Sequence, residues 1–169
     1  MRKGTHLVIT MSHHLFLFQP GCWIGEGKIQ LNAFDEELIF FTRWKTLHLD
    51  RDFKQFEASQ EVQIAGHSDL MFNHFWFNEF HAKKFEVTLE NQTWGEVKGI
   101  GMVDDRFIGW EFRDLELGFE GYEYYELQED DTYLMRAEFV SKDQLRTQIE
   151  GKIWKQLVKK ENQIEEKQR

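Results

Sequence analysis

Residues 56–64 read Phe-Glu-Ala-Ser-Gln-Glu-Val-Gln-Ile, and their alternation decides the fold. Phe56, Ala58, Gln60, Val62 and Ile64 share one face, while Glu57, Ser59, Glu61 and Gln63 share the other. A period of two is that of a strand with one face in a core and one in water. The pattern extends both ways. Upstream, Leu38, Phe40, Thr42, Trp44, Thr46 and His48 alternate with Arg43 and Lys45, and before them Trp23, Gly25, Gly27, Ile29 and Leu31 share a face. Downstream, the runs over 85–89, 95–103, 108–113, 119–127 and 133–139 repeat it. Residues 70–80 are apolar on both faces, as in a strand buried twice or covered by another element.

Turn-forming residues at 32–35, 50–52, 66–69, 91–92, 104–105, 117–118 and 129–131 separate the runs. Short connections without crossover helices argue against a parallel sheet and predict an antiparallel meander. Glycine weakens a strand, so Gly25, Gly27, Gly95, Gly99 and Gly101 imply either bulges or the close approach of a backbone or ring. Gly99 and Gly101 are expected to make room for rings such as Trp44 or Trp110. Either explanation curves the sheet, and the expected fold is a mainly β, up-and-down antiparallel barrel of about eight to ten strands. The chain ends differently. Leu145, Ile149, Ile153, Leu157 and Val158 recur at helical spacing behind Ser141, a good N-cap. The expected organisation is one domain: an N-terminal extension over 1–20, a barrel over 21–140, and a C-terminal α-helix over 141–169 packed on the barrel and fraying at its end.

The chain has 169 residues, enough to bury a core without disulfides or metal. Sixteen Phe and six Trp argue against disorder. A formal net charge of −9 repels phosphate backbones. The one basic stretch (Lys152, Lys155, Lys159, Lys160) is short, so no nucleic-acid partner is expected. The single cysteine, Cys22, has no intrachain partner, which points to a reducing, cytoplasmic setting. Arg2 and Lys3 precede an apolar run over 7–18 in the manner of an export signal. His13 and His14 interrupt that run, and no small-residue cleavage site follows. No apolar stretch is long enough for a membrane-spanning helix.

Gly21-x-Trp23-x-Gly25-x-Gly27 opens the first strand. It resembles the G-x-W opening of the calycin superfamily (lipocalins, fatty-acid-binding proteins and nitrobindin-like barrels), and its fuller form is most similar to the nitrobindin-like group. The resemblance rests on this short motif and on the strand pattern of the whole chain. It implies a lipocalin-like barrel in which Trp23 closes one end, with a basic side chain from a late strand lying over it. Arg136 would take that part, through a cation–π contact. Haem chemistry does not carry across. The nitrobindin-like haem ligand is a late histidine, whereas His6, His13, His14, His48, His67, His74 and His81 all lie in the first half.

Catalytic signals are weak. His74 and His81, with Glu79 between them, are seven apart and fall on opposite faces of a strand, so no metal site is expected. No serine sits in G-x-S-x-G, and Cys22 alternates away from the inner face. Residues 95–101 lack the Lys-Ser ending of a phosphate loop, and no cofactor is expected. Glu111, Arg113, Glu123 and Tyr125 read first as an exterior salt-bridge ladder, because Ile108, Trp110 and Phe112 make the better inner face. A buried cluster holding a carboxylate is the alternative. The faces read as inward carry Phe40, Trp44, Phe72, Trp76 and Trp110, with His48, Gln60 and His74 as polar handles. That is the make-up of a small-molecule pocket. The expected function is non-enzymatic binding of a small apolar or amphipathic ligand by those eight residues. The alternative is an interaction or scaffold protein with a filled barrel, acting through Met71, Phe75 and Phe77 or through the terminal helix.

Overall fold

Each alternating run forms a strand, and the segment read as a helix adds one more. The computed structural model describes residues 14–48 and 54–157. Within them lie β1 (Gly21–Leu31), β2 (Glu37–His48), β3 (Gln55–Ile64), β4 (Leu70–His81) and β5 (Lys84–Asn91). The second half holds β6 (Gly95–Val103), β7 (Phe107–Asp114), β8 (Phe119–Leu127), β9 (Tyr133–Val140) and β10 (Arg146–Lys155). Successive strands pair antiparallel, and β1 pairs with β10, so the sheet closes into a ten-strand barrel in chain order. Closure leaves no edge strand exposed. Among the described residues, no helix is long and apolar enough to cross a membrane.

The expected C-terminal helix is the first correction: Arg146–Lys155 is β10, the strand that closes the barrel. Ile149 pairs with Ile29 and Ala137, and Ile153 with Gly25 and Tyr133. Leu145, Ile149, Ile153 and Leu157 are spaced by an even number, so periods of 3.6 and of two both align them. Ser141 caps no helix. Its N–H donates to the Leu145 carbonyl at 3.1 Å, and the Gln144 N–H donates to the Ser141 carbonyl at 2.9 Å, which closes the β9–β10 turn. Residues 158–169 of the expected helix, the turn at 50–52 and the apolar run ahead of His14 lie outside the described residues.

The second correction is the parity of β4. Phe75 and Phe77 point inward and are buried, whereas Phe72 is 51% exposed and His74 and Trp76 lie on the outer wall. A segment apolar on both faces carries no signal for which face is inner. A register shift between Asn78 and His81, with Glu79 at φ 50°, turns Phe80 back inward against Phe18, Phe56 and Phe85. Gly101 does make room for a ring, but the ring is Phe85: a Cβ there would lie 2.1 Å from it.

Residues 14–18, read as part of an extension, fill the end of the barrel where β1 begins. Phe16, Leu17 and Phe18 are buried. The Phe16 ring meets Trp23, Trp44 and Tyr133 at 5.5 Å and Tyr125 at 4.7 Å. His14 Nε2–H donates to the Asp104 carbonyl at 2.5 Å, and Nδ1 lies 2.9 Å from the Tyr133 hydroxyl. Trp23 therefore closes this end beneath Phe16 and Tyr133, not beneath Arg136. Arg136 is exposed on the outer wall, between its cross-strand partners Tyr124 and Glu150.

Candidate functional site

The barrel has two unlike ends. The end plugged by residues 14–18 is packed ring against ring. The opposite end, where β1 finishes and β2 begins, is edged by half-buried apolar side chains packed against the core: Leu31, Leu38, Val62, Ile64, Phe139 and Ile149. Trp94, in the β5–β6 turn, lies 4.4 Å from Phe119, which stacks on Phe139 at 5.6 Å. The Asn91 Oδ1 holds that turn by accepting from the N–H groups of Thr93 and Trp94, at 3.0 and 2.8 Å.

From Asn91 a chain of side-chain hydrogen bonds runs inward along β5, β4, β3 and β2. Asn91 Nδ2 donates to Asn73 Oδ1 at 3.3 Å, and Asn73 Nδ2 to Gln60 Oε1 at 2.9 Å. Gln60 Nε2 donates to Thr42 Oγ1 at 3.2 Å, and Thr42 ends on the Glu61 carbonyl at 3.0 Å. Each amide uses its neighbour, so this wall is polar yet satisfied.

The centre is not satisfied. Trp44 of β2 reaches across to Trp110 of β7 and Tyr125 of β8, with ring centroids 6.2 and 6.0 Å apart. Beside them sits Glu123, 5% exposed and opposite Trp110 in the β7–β8 register. The Tyr125 hydroxyl donates to its carboxylate. Burial pushes the Glu123 carboxyl up to about 7, against the opposing pull of Tyr125 and of the Trp110 indole. Burial and the neighbouring carboxylate hold the Tyr125 hydroxyl well above its usual range. Both indole N–H groups point toward this pair, Trp110 at Glu123 and Trp44 at Tyr125, without reaching hydrogen-bond geometry. Thr46 Oγ1, also shielded, has no partner either. Such groups are rare inside a folded chain because each costs its desolvation.

Of the residues read as lining the pocket, Phe40, Trp44, Gln60 and Trp110 point inward. Phe72, His74 and Trp76 do not, for the parity reason above. Trp76 Nε1 donates to Glu57 Oε1 at 3.0 Å on the outer wall, with His74 Nε2 3.6 Å from Glu57 Oε2. The His48 backbone belongs to β2, and its side chain lies outside the described residues. Glu111 and Arg113 are exterior, as the first reading had them, but Glu123 and Tyr125 are interior. The sequence held the signal: Phe119, Glu123, Tyr125 and Leu127 share odd numbers, while Glu120 and Glu126 share even ones. The proposed surface patch does not exist as read, since Phe75 and Phe77 are buried and Met71 alone is exposed. Among the described residues, no three His, Cys, Asp or Glu side chains gather to hold a metal ion.

No protein-family model matches the chain, and no curated protein matches it. Solved structures do. The chain is similar to the S-type phycobiliprotein lyase CPES from Guillardia theta, with a TM-score of 0.63 at 6% identity over 94% of this chain and 99% of that one. It is also similar to Rv2717c from M. tuberculosis, with a TM-score of 0.64 at 11% identity over 82% of this chain and 92% of that one. At these identities the likeness is one of fold alone, a closed antiparallel barrel.

Proposed function

We propose that this chain is a non-catalytic binder of a small apolar or amphipathic molecule, taken in at the end of the barrel away from residues 14–18. One observation carries the reading: the indole N–H groups of Trp44 and Trp110 are shielded from water and fall short of hydrogen-bond geometry beside the buried Glu123 and Tyr125, in an interior lined mostly by aromatic rings. A bound polar group would recover that desolvation, and the surrounding rings would supply the hydrophobic term. Phe40, Trp44, Gln60 and Trp110 are the wall residues retained, joined by Glu123 and Tyr125. A lyase acting on phycobiliproteins has the same barrel, which supports a small-molecule role without naming a ligand. The lone half-buried thiol of Cys22 suits a reducing compartment, and the cytoplasm is the proposed setting.

Native mass spectrometry of the purified chain tests the reading, together with titration of its tryptophan fluorescence by small aryl probes. The expected result is a co-purified mass or saturable quenching, because Trp44 and Trp110 face the ligand. A bare chain whose fluorescence no probe alters would overturn it. That outcome would favour a filled barrel working through its outer wall, where Phe41, Leu70, Met71 and Phe72 are exposed.

A further inference from the structure

We infer that the end of the barrel away from residues 14–18 is a docking surface for a basic protein segment with one apolar face. The inference is independent of ligand binding, since its groups stand on turns outside the barrel wall. Five turns make up this end: residues 32–36, 65–69, 92–94, 115–118 and 141–145. Three of them hold large apolar side chains in water. Phe34 is 62% exposed and Leu115 88%, and Leu117 and Trp94 are exposed too. Single exposed apolar residues are ordinary on a protein surface, but several gathered in one place are not.

The turns are neighbours. Asn32 binds the β9–β10 turn, donating from Nδ2 to the Gln144 carbonyl and from its N–H to the Arg146 carbonyl, both at 3.0 Å. A Cβ on Gly118 would lie 2.7 Å from the Lys142 side chain, so the β7–β8 turn packs closely on the β9–β10 turn. Trp94 rests on Phe119 at the start of β8. The apolar tips are also held in place. Asp114 Oδ1 accepts from the N–H groups of Glu116 and Leu117 at 3.0 and 2.9 Å, as Asn91 Oδ1 does from Thr93 and Trp94. The Phe34 N–H donates to the Leu31 carbonyl at 3.2 Å. A surface fixed before contact loses less entropy on binding.

Charge identifies the occupant. The five turns carry five carboxylates, Asp35, Glu36, Asp69, Glu116 and Asp143, against one cation, Lys142. All are exposed, and no ion pair joins any of them to a partner among the described residues. Apolar tips among unpaired carboxylates complement a segment whose apolar side chains are flanked by lysine or arginine. A second copy docked end to end would set carboxylates against carboxylates, and an anionic lipid surface would be repelled in the same way.

The probes are three labelled synthetic peptides, followed by fluorescence anisotropy on the full chain. One is a leucine–lysine peptide with its apolar residues at helical spacing, one a leucine–glutamate peptide of the same pattern, and one a scramble of the first without an apolar face. Wild type is expected to bind the first at least about tenfold tighter than either of the others, and more weakly as salt is raised. Phe34→Ser with Leu115→Ser should weaken that binding at least about tenfold; both side chains already stand in water, so the core loses nothing. Glu36→Gln with Glu116→Gln and Asp143→Asn should flatten the salt dependence. Ile100→Ser with Met102→Ser, at apolar residues more than half exposed on β6, should leave binding unchanged. No binding of the leucine–lysine peptide, equal binding of the glutamate peptide, or an equal loss in the Ile100 and Met102 variant overturns the inference. So does co-sedimentation with phosphatidylcholine vesicles that Phe34→Ser with Leu115→Ser abolishes, which would assign this end to a lipid surface. A wild-type dimer in analytical ultracentrifugation that the same double variant dissolves overturns it in favour of a second copy. Each of these results leaves the ligand-binding reading untouched.

Discussion

Burial acts on Glu123 in a direction opposite to that of most surface carboxylates. Its carboxyl rises from an ordinary value of 4.5 to about 7 because desolvation outweighs the Tyr125 hydroxyl and the Trp110 indole. Between those two values the folded chain keeps a proton that the unfolded chain has released. Stability is therefore highest below about pH 4.5 as far as this group is concerned, falls as pH rises toward about 7, and levels off above it. The full linkage is on the order of 3 kcal/mol. Urea unfolding at about pH 5 and pH 8 should show wild type losing a few kcal/mol across that window. Glu123→Gln should lose less than about 1 kcal/mol, and a variant that tracks wild type would show that the carboxyl is not the cause. Little of this was legible beforehand. The alternation in β8 put Glu123 and Tyr125 on one face, but a glutamate between aromatic neighbours reads as surface until its partner is known. That partner, two residues along the same strand, is what makes an inward carboxylate tolerable.

β10 shows how one pattern supports two elements. Apolar residues four apart satisfy a helix and a strand alike, and the capping residues ahead of them serve equally well in a turn. Gly151 separates the alternatives. In a helix, Gly151→Ala would stabilise the chain by about 1 kcal/mol. In the barrel, a Cβ at 151 would lie 2.8 Å from the Glu26 carbonyl oxygen and 3.2 Å from the Phe40 ring. The expected result is a loss of about 1–3 kcal/mol in chemical denaturation, and a gain would restore the helix. β4 failed for a different reason: with large apolar side chains on both faces, nothing local picks the inner one. The choice fell to what lies across the barrel, where Phe75 and Phe77 meet Trp110 at 5.6 Å.

Closure binds the two ends of the chain to each other, since Trp23 through Leu31 pair residue for residue with Lys155 back to Thr147. A sheet open between β1 and β10 would have two fraying edges, and a closed one has none. Hydrogen exchange should therefore find the amides of β1 and β10 protected to within about tenfold of those in β5 and β6. Fast exchange confined to β1 and β10 would mean that the seam is open in solution. The strand meander, the curvature demanded by its glycines and the inward tryptophans of β1, β2 and β7 could all be read from residues near one another in the chain, because alternation is a property of local backbone geometry. The identity of the closing strand, the inner face of β4, the filling of one end by residues 14–18 and the buried carboxylate could not. Each depends on which side chains meet across the barrel, and contacts between distant residues leave no period in the sequence between them.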